Sequence, residues 1–201
     1  MLILGLDIAT TTGFAWYEPG ASLASIKTGL IKATGESHEA KAASLGDQLR
    51  EMFKECRPDF VAIEEPLRNI KTFKKTIQTM YGPKVIQTVN PNQMLLYSLV
   101  GAAMVVVSAY KKPWETIPSA TWRKSFFGAG FKPPIKIIVR EGEDAVAEKQ
   151  WKKAAVDRCR LLRIDVKNAD AAEAVGVAIA GEHTQRFKQE RNRADQAKAA
   201  A

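Results

Sequence analysis

The sequence is short of the residues that staple small folds or bind soft metals. It has two cysteines, Cys56 and Cys159, placed far apart with no partner motif. That excludes a disulfide framework or a cysteine-bound zinc site, and the pair reads as packing residues in a reducing cytoplasm. Its two histidines, His38 and His183, stand away from every acidic motif in any useful register and are poor ligand candidates. No internal repeat or low-complexity block is present. Met1 leads straight into an apolar run with no basic n-region and no small-residue cleavage site, so no secretory leader is expected. One charge-free apolar stretch, Met94 to Tyr110, falls short of the roughly 20 residues of a membrane span. It also carries Ser98, Gly101 and Ser108. A buried helix is expected there, with no membrane partner and a cytoplasmic location. Acids are in deficit as well: 22 Asp and Glu face 30 Lys and Arg, a formal charge of +8. Such an excess favours a polyanionic partner, because neutralising phosphates releases counterions.

What the chain does have is a sizeable core. With 201 residues, 46% of them hydrophobic, one domain is expected over residues 1–183, followed by a charged, alanine-rich tail over 184–201 that frays. Leu2 to Asp7 is a short apolar run ending in an acid, the pattern of a buried central strand. A turn at Ala9 to Gly13 leads to a second strand from Phe14 to Tyr17. A third runs from Leu23 to Ile31, which makes a three-stranded antiparallel meander. Ser37 caps a helix to about Cys56. Phe60 to Glu65 is another apolar strand ending in acids, stopped by Pro66. Asn69 to Lys84 is polar and basic, an excursion expected to be mobile or partly helical. Asn90-Pro91 opens the apolar helix, Trp114 to Ile117 is a strand, and Pro118-Ser119 starts a helix with Trp122, Arg123 and Lys124. Trp122 and Trp151 are expected in the core. Gly128 to Gly142 reads as loop, Glu143 to Leu162 as a basic amphipathic helix, and Asn168 to His183 as the last helix. Strands first, then alternating helices and strands, make an α/β domain with a mixed sheet. The apolar helix from Met94 to Tyr110 has no wet face, so the sheet covers one side and a second copy of the chain the other.

The acids carry the chemistry. Asp7 ends the first strand, Glu64 or Glu65 ends the fourth, and Asp170 and Glu173 lie three residues apart on one face of the last helix. Carboxylates converging at strand ends repel one another unless a hard cation neutralises them, and Mg²⁺ takes oxygen ligands. Two such ions about 3.5–4 Å apart bind both the attacking and the leaving oxygen of a phosphodiester. Taken singly, an acid at a strand end is most often a turn residue, and Asp170 near a helix N-terminus is favoured by the helix dipole. The order of the motifs is more informative than any one of them.

That order resembles the RuvC family of Holliday junction resolvases, of cellular or phage type. Ile3-Leu4-Gly5-Leu6-Asp7-Ile8-Ala9-Thr10-Thr11-Thr12-Gly13-Phe14-Ala15 looks like their opening strand and turn. Val61-Ala62-Ile63-Glu64 looks like their second acidic motif, and Ala169-Asp170-Ala171-Ala172-Glu173-Ala174-Val175-Gly176-Val177-Ala178 like their final helix. The resemblance covers residues 1 to about 183. It implies a ribonuclease H-like mixed sheet, three antiparallel strands then parallel strands, flanked by helices. It also implies a homodimer acting on branched DNA, and paired nicking of four-way junctions with two Mg²⁺ ions per site, Mn²⁺ serving as a substitute. Its four catalytic and metal-binding acids fall on Asp7, Glu64, Asp170 and Glu173. Glu64 is preferred to Glu65 because it follows Ile63 directly, and neighbours in a strand point to opposite faces.

DNA-binding lysines of the family fall on the helix before the last, at Lys149, Lys152 and Lys153. Arg68, Lys71, Lys74 and Lys75 follow the second acidic motif and are expected to track a backbone, although a solvated face is the ordinary role of such residues. Three features depart from the family: Glu173 replaces the usual Asp, and the segments Leu67 to Val89 and Gly128 to Gly142 are longer. The aromatic that stacks at the junction centre has no counterpart at Leu67, leaving Phe73 or Tyr81 for that place. Three other functions compete, and one of them, a catalytically silent DNA-binding protein, would not need four acids in these places. A nuclease of the same fold could act on other branched DNA or on RNA/DNA hybrids. A kinase- or actin-like ATP-binding module also opens with a strand, an acid and a threonine-rich turn, but Ala9 stands where its loop has glycine.

Overall fold

The computed structural model describes residues 1–66, 72–138 and 146–200. Its centre is a five-stranded sheet built from β1 (Ile3–Asp7), β2 (Thr11–Tyr17), β3 (Lys27–Lys32), β4 (Phe60–Glu64) and β7 (Trp114–Ile117), in the order β3-β2-β1-β4-β7. The first three strands pair antiparallel, while β4 and β7 join parallel to β1. The α/β mixed sheet expected from the sequence is therefore present. Chain order reverses direction across the sheet between β1 and β4, so the carboxyl ends of these two strands border a crevice, the place where open α/β sheets bind ligands.

Alternation along the strands sorts two cores. Leu4, Leu6, Val61 and Ile63 face α1 (His38–Glu55) and α2 (Pro91–Ala109), meeting Leu45, Leu49, Phe53, Leu99 and Ala103. Ile3, Phe60 and Ala62 face the opposite side, where α5 (Ala169–Gly181) lies. By the same period Asp7 follows Ile3 and Gly5, and Glu64 follows Phe60 and Ala62. Both acids are thus delivered to the α5 side. The outer side of α5 is covered in turn by α3 (Ser119–Phe127) and α4 (Trp151–Leu161).

Helix starts follow local chemistry. Ser37 accepts from the Ala40 amide, Asn90 from Asn92 and Asn168 from Ala171, each satisfying a free first-turn N–H. α5 lies close to the sheet because the facing positions are small. A Cβ added at Gly5 would stand 2.6 Å from the Ala174 carbonyl oxygen, and one at Gly13 would stand 2.0 Å from that of Asp170. Such contacts are far inside van der Waals range, so the glycines are what allow the helix to approach.

Four segments differ from the sequence expectation. Residues 69–84 were expected as a mobile or helical excursion, but Thr72–Thr79 (β5) and Gly82–Val89 (β6) form an antiparallel hairpin. Its Thr, Ile and Val positions are interspersed with lysines and glutamines without strict alternation, so the stretch has no period-2 signal. Ile135–Ile138 (β8) and Val146–Lys149 (β9) form a second hairpin where loop and helix were expected, so Lys149 lies in a strand and the helix begins only at Trp151. The third strand is shorter than expected, because Leu23–Ser25 is a single 3-10 turn ahead of β3. Finally, Gln185–Ala199 forms α6, capped by Thr184 and anchored by buried Phe187 edge-on to Phe60 at 5.4 Å. The expected boundary at residue 184 coincides with the cap of this helix.

Of the two cysteines, Cys159 is buried as expected and Cys56 is exposed. Trp122 is fully buried, whereas Trp151 is only partly so and belongs to a surface cleft. The helix α2 is long and apolar enough to cross a membrane by length and composition. In this fold one side of it lies against the sheet and α1.

Candidate metal centre

Three acids from two elements converge. Asp7 at the end of β1 and Asp170 and Glu173 in the first turns of α5 offer carboxylate oxygens that all lie within 4.8 Å of one another. Glu64 adjoins them, since Leu6 pairs with Ile63 and the next residues on each strand are Asp7 and Glu64. The two carboxyls share a hydrogen bond, and Glu64 also accepts one from the Ser119 hydroxyl. Glu65 points elsewhere and lines a neighbouring cleft. No histidine or cysteine enters the cluster, which leaves an all-oxygen donor set.

The carboxyls of the cluster repel one another strongly. Burial, then the charges of Glu64, Glu173 and Asp170, push the Asp7 carboxyl up to about 9. Burial and the charge of Glu64 push Glu173 up to about 7, against the opposing pull of Lys152 and Arg123. Without added positive charge, Asp7 keeps its proton at neutral pH and Glu173 is close to half-protonated. A hard divalent cation removes that repulsion, and the oxygen donors fit Mg²⁺ or Mn²⁺ rather than a soft metal.

Cations stand at the rim. Lys152 Nζ lies 2.5 Å from Asp170 Oδ1. Burial disfavours its charge, but the hydrogen bond to Asp170 and the charge of the surrounding acids outweigh this and raise its pKa. An Arg123 guanidinium nitrogen lies 3.9 Å from Glu173 Oε1. The Asn168 amide is 3.5 Å from the second Asp170 oxygen, while its carbonyl caps the helix. One asparagine thus starts α5 and steers the acid two residues on.

The structure therefore brings together Asp7, Glu64, Asp170, Glu173 and Lys152. Lys153 is exposed on α4 and Lys149 stands at the end of β9. Lys74 and Lys75 lie exposed on β5. Arg68 and Lys71 lie outside the described residues. Sequence reasoning missed Ser119 and Arg123. The available signal was topological: Glu64 pairs with Ile117, so the helix starting at Ser119 must begin beside Glu64.

No family model matches the sequence, and no curated protein matches it. Among solved structures, the chain is similar to Thermus thermophilus RuvC in complex with a Holliday junction substrate. The TM-score is 0.58 at 13% identity, over 90% of this chain and 91% of that one. A second structure of Thermus thermophilus RuvC gives a TM-score of 0.53 at 16% identity, over 90% and 92% of the two chains. The fold is that of RuvC. At these identities the likeness extends to architecture, and the RuvC-like sheet is the frame that sets Asp7 and Glu64 side by side beneath α5.

Proposed function

We propose that this chain is a divalent-metal-dependent endonuclease that resolves four-way DNA junctions. The observation that carries the proposal is the convergence of Asp7, Glu64, Asp170 and Glu173 at the carboxyl ends of two parallel strands in a RuvC fold. These four acids would hold two Mg²⁺ ions, which when bound lower the pKa of a water and offset charge on the leaving oxygen.

The chain's own residues prepare that site. Ser119 fixes the orientation of Glu64 through its hydroxyl. Lys152 holds Asp170 from the rim, and Arg123 approaches Glu173 from α3. Their positive charge also favours a phosphate backbone entering over the acids. Lys74 and Lys75 lie on a hairpin whose tip residue Tyr81 is 96% exposed. Tyr81, one of the two aromatics considered for a stack at the junction centre, offers an exposed ring to unpaired bases, while the Phe73 side chain lies outside the described residues. Among the described residues, the side of α2 that carries Met94 and Val105 is exposed, and a second copy of the chain would pack there to give two cutting sites for a two-fold substrate.

The ATP-module alternative loses its phosphate loop. Gly13 is paired in β2 opposite Asp7 and packed beneath the Asp170 carbonyl, so α5 covers the turn. Cutting of a synthetic four-way junction in Mg²⁺, against linear duplex and an RNA/DNA hybrid, tests the proposal. Preference for the hybrid would transfer the activity to the other substrate class.

A further inference from the structure

Beside the acids, and separate from them, is a cleft of about 860 Å³ lined by Ser119, Arg123, Lys124, Phe131, Lys149 and Trp151, with Glu65 the acid on its wall. Its size is within the roughly 300–1,000 Å³ of sites that take small organic groups. Two of its walls are shared with the metal centre. Ser119 donates to Glu64, and Arg123 reaches toward Glu173.

The aromatic side of the cleft is built. α3 ends at Phe127, and the chain turns through Gly128 and Gly130 with φ of +93° and +80°. That left-handed backbone suits glycine and returns Phe131 onto Phe127, with ring centres 4.6 Å apart and an interplanar angle of 11°. Trp151 stands 6.2 Å from Phe131, and the Arg123 guanidinium sits 4.6 Å above the Trp151 ring. An aromatic group that merely closed a loop would be buried. Phe131 is 42% exposed on the cleft, next to lysines at 124 and 149. A flat apolar ring with cations at its margin is the chemistry that binds a nucleobase and its phosphate together, because every base has a π-face and every linkage a negative charge.

We propose that this cleft binds one unpaired nucleotide adjacent to the cut, its base stacked on Phe131 and its phosphate held by Lys124 and Lys149. The assignment rests on the nuclease reading and deepens it: substrate strands with an unstacked base beside the acids are bound more tightly than fully paired ones.

A double-mutant cycle between protein ring and DNA base tests this. Affinity is measured by fluorescence anisotropy for a short single-stranded oligodeoxynucleotide and for the same strand with abasic sites. Wild type should bind the intact strand roughly 5- to 100-fold more tightly, the range of one base stack. Phe131→Ala should lose that discrimination, and Phe131→Tyr, which keeps the ring, should retain it. Lys149→Ala should keep the discrimination while lowering the salt slope by about one unit. Equal binding of both strands by wild type overturns the proposal whatever the variants do, as does full discrimination by a folded Phe131→Ala protein. Mg²⁺-dependent cutting by wild type is followed in parallel. Discrimination without cutting sinks the nuclease reading and leaves the cleft standing, while cutting without discrimination does the reverse.

Discussion

The helices α5 and α2 look alike in sequence and have opposite fates in the fold. Both are apolar on nearly every face, and neither has an acid-rich outer stripe. α5 is buried all round: Ala171, Ala174 and Ala178 press on the sheet, and Gly176 lies against the Trp122 ring. Its small side chains let a sheet on one side and two helices on the other approach together. α2 carries larger side chains and is covered on one side only, leaving Val105 69% exposed. The difference shows that an apolar helix is completed by whatever its side chains allow near it. In α5 the chain supplies both covers and uses the closeness to set acids against β1. In α2 the described residues leave the second side exposed.

The largest expected effect breaks that closeness. Gly13→Val places atoms where the Asp170 backbone lies, so the variant should lose several kcal/mol of stability or fail to fold, as severe overpacking does. Val105→Ala on α2 should change stability by less than about 0.5 kcal/mol. Urea denaturation checks both, and equal effects at the two positions would erase the distinction between the helices.

A second effect concerns the acids that α5 brings in. Asp7 and Glu173 have pKa values raised by folding to about 9 and about 7. Their stabilising contribution is therefore complete below the ordinary carboxylate range and lost as pH rises through those values. The metal-free protein should lose melting temperature from about pH 5 to 9, Mg²⁺ should restore it at the alkaline end, and Asp7→Asn should flatten the profile. A metal-free profile that rises over this range would contradict the acid cluster.

A smaller effect on stability, but a clear one on assembly, is expected from Val105→Glu. The charge lands on the exposed side of α2 and should leave folding nearly unchanged while shifting sedimentation from dimer to monomer. A wild-type monomer at micromolar concentration that still makes paired cuts would end the dimer proposal. Subtler still, Ser119→Ala removes the hydroxyl that holds Glu64. It should slow cutting several-fold without altering DNA affinity, and an unchanged rate would show that Glu64 needs no such support.

Legibility in the sequence followed the strength of local signals. Ser37, Asn90 and Asn168 each marked a helix start that the structure keeps, because a cap acts within three residues. β1 and β4 were plain as apolar runs ending in acids, and the period of two already set Glu64 on the same side as Phe60 and Ala62. The strand pairs β5–β6 and β8–β9 were missed because their residues are mostly exposed, and an unburied strand has no hydrophobic alternation to read. α6 was hidden by its charge, although Thr184 and Phe187 supply its cap and its anchor. Ser119 and Arg123 could not be found from spacing, since only the pairing of β4 with β7 brings their helix beside the acids.

The account's central claim is that α5 and the two strands assemble a metal-dependent cutting site for branched DNA. The most direct test is the cleavage of a labelled synthetic four-way junction in Mg²⁺, with linear duplex of the same sequence as control, by wild type and by Asp7→Asn. The account predicts paired nicks in the junction by wild type, little cutting of the duplex, and none of either by Asp7→Asn, which still binds the junction. Cutting by Asp7→Asn at the wild-type rate, or junction and duplex cut equally well by wild type, would contradict it.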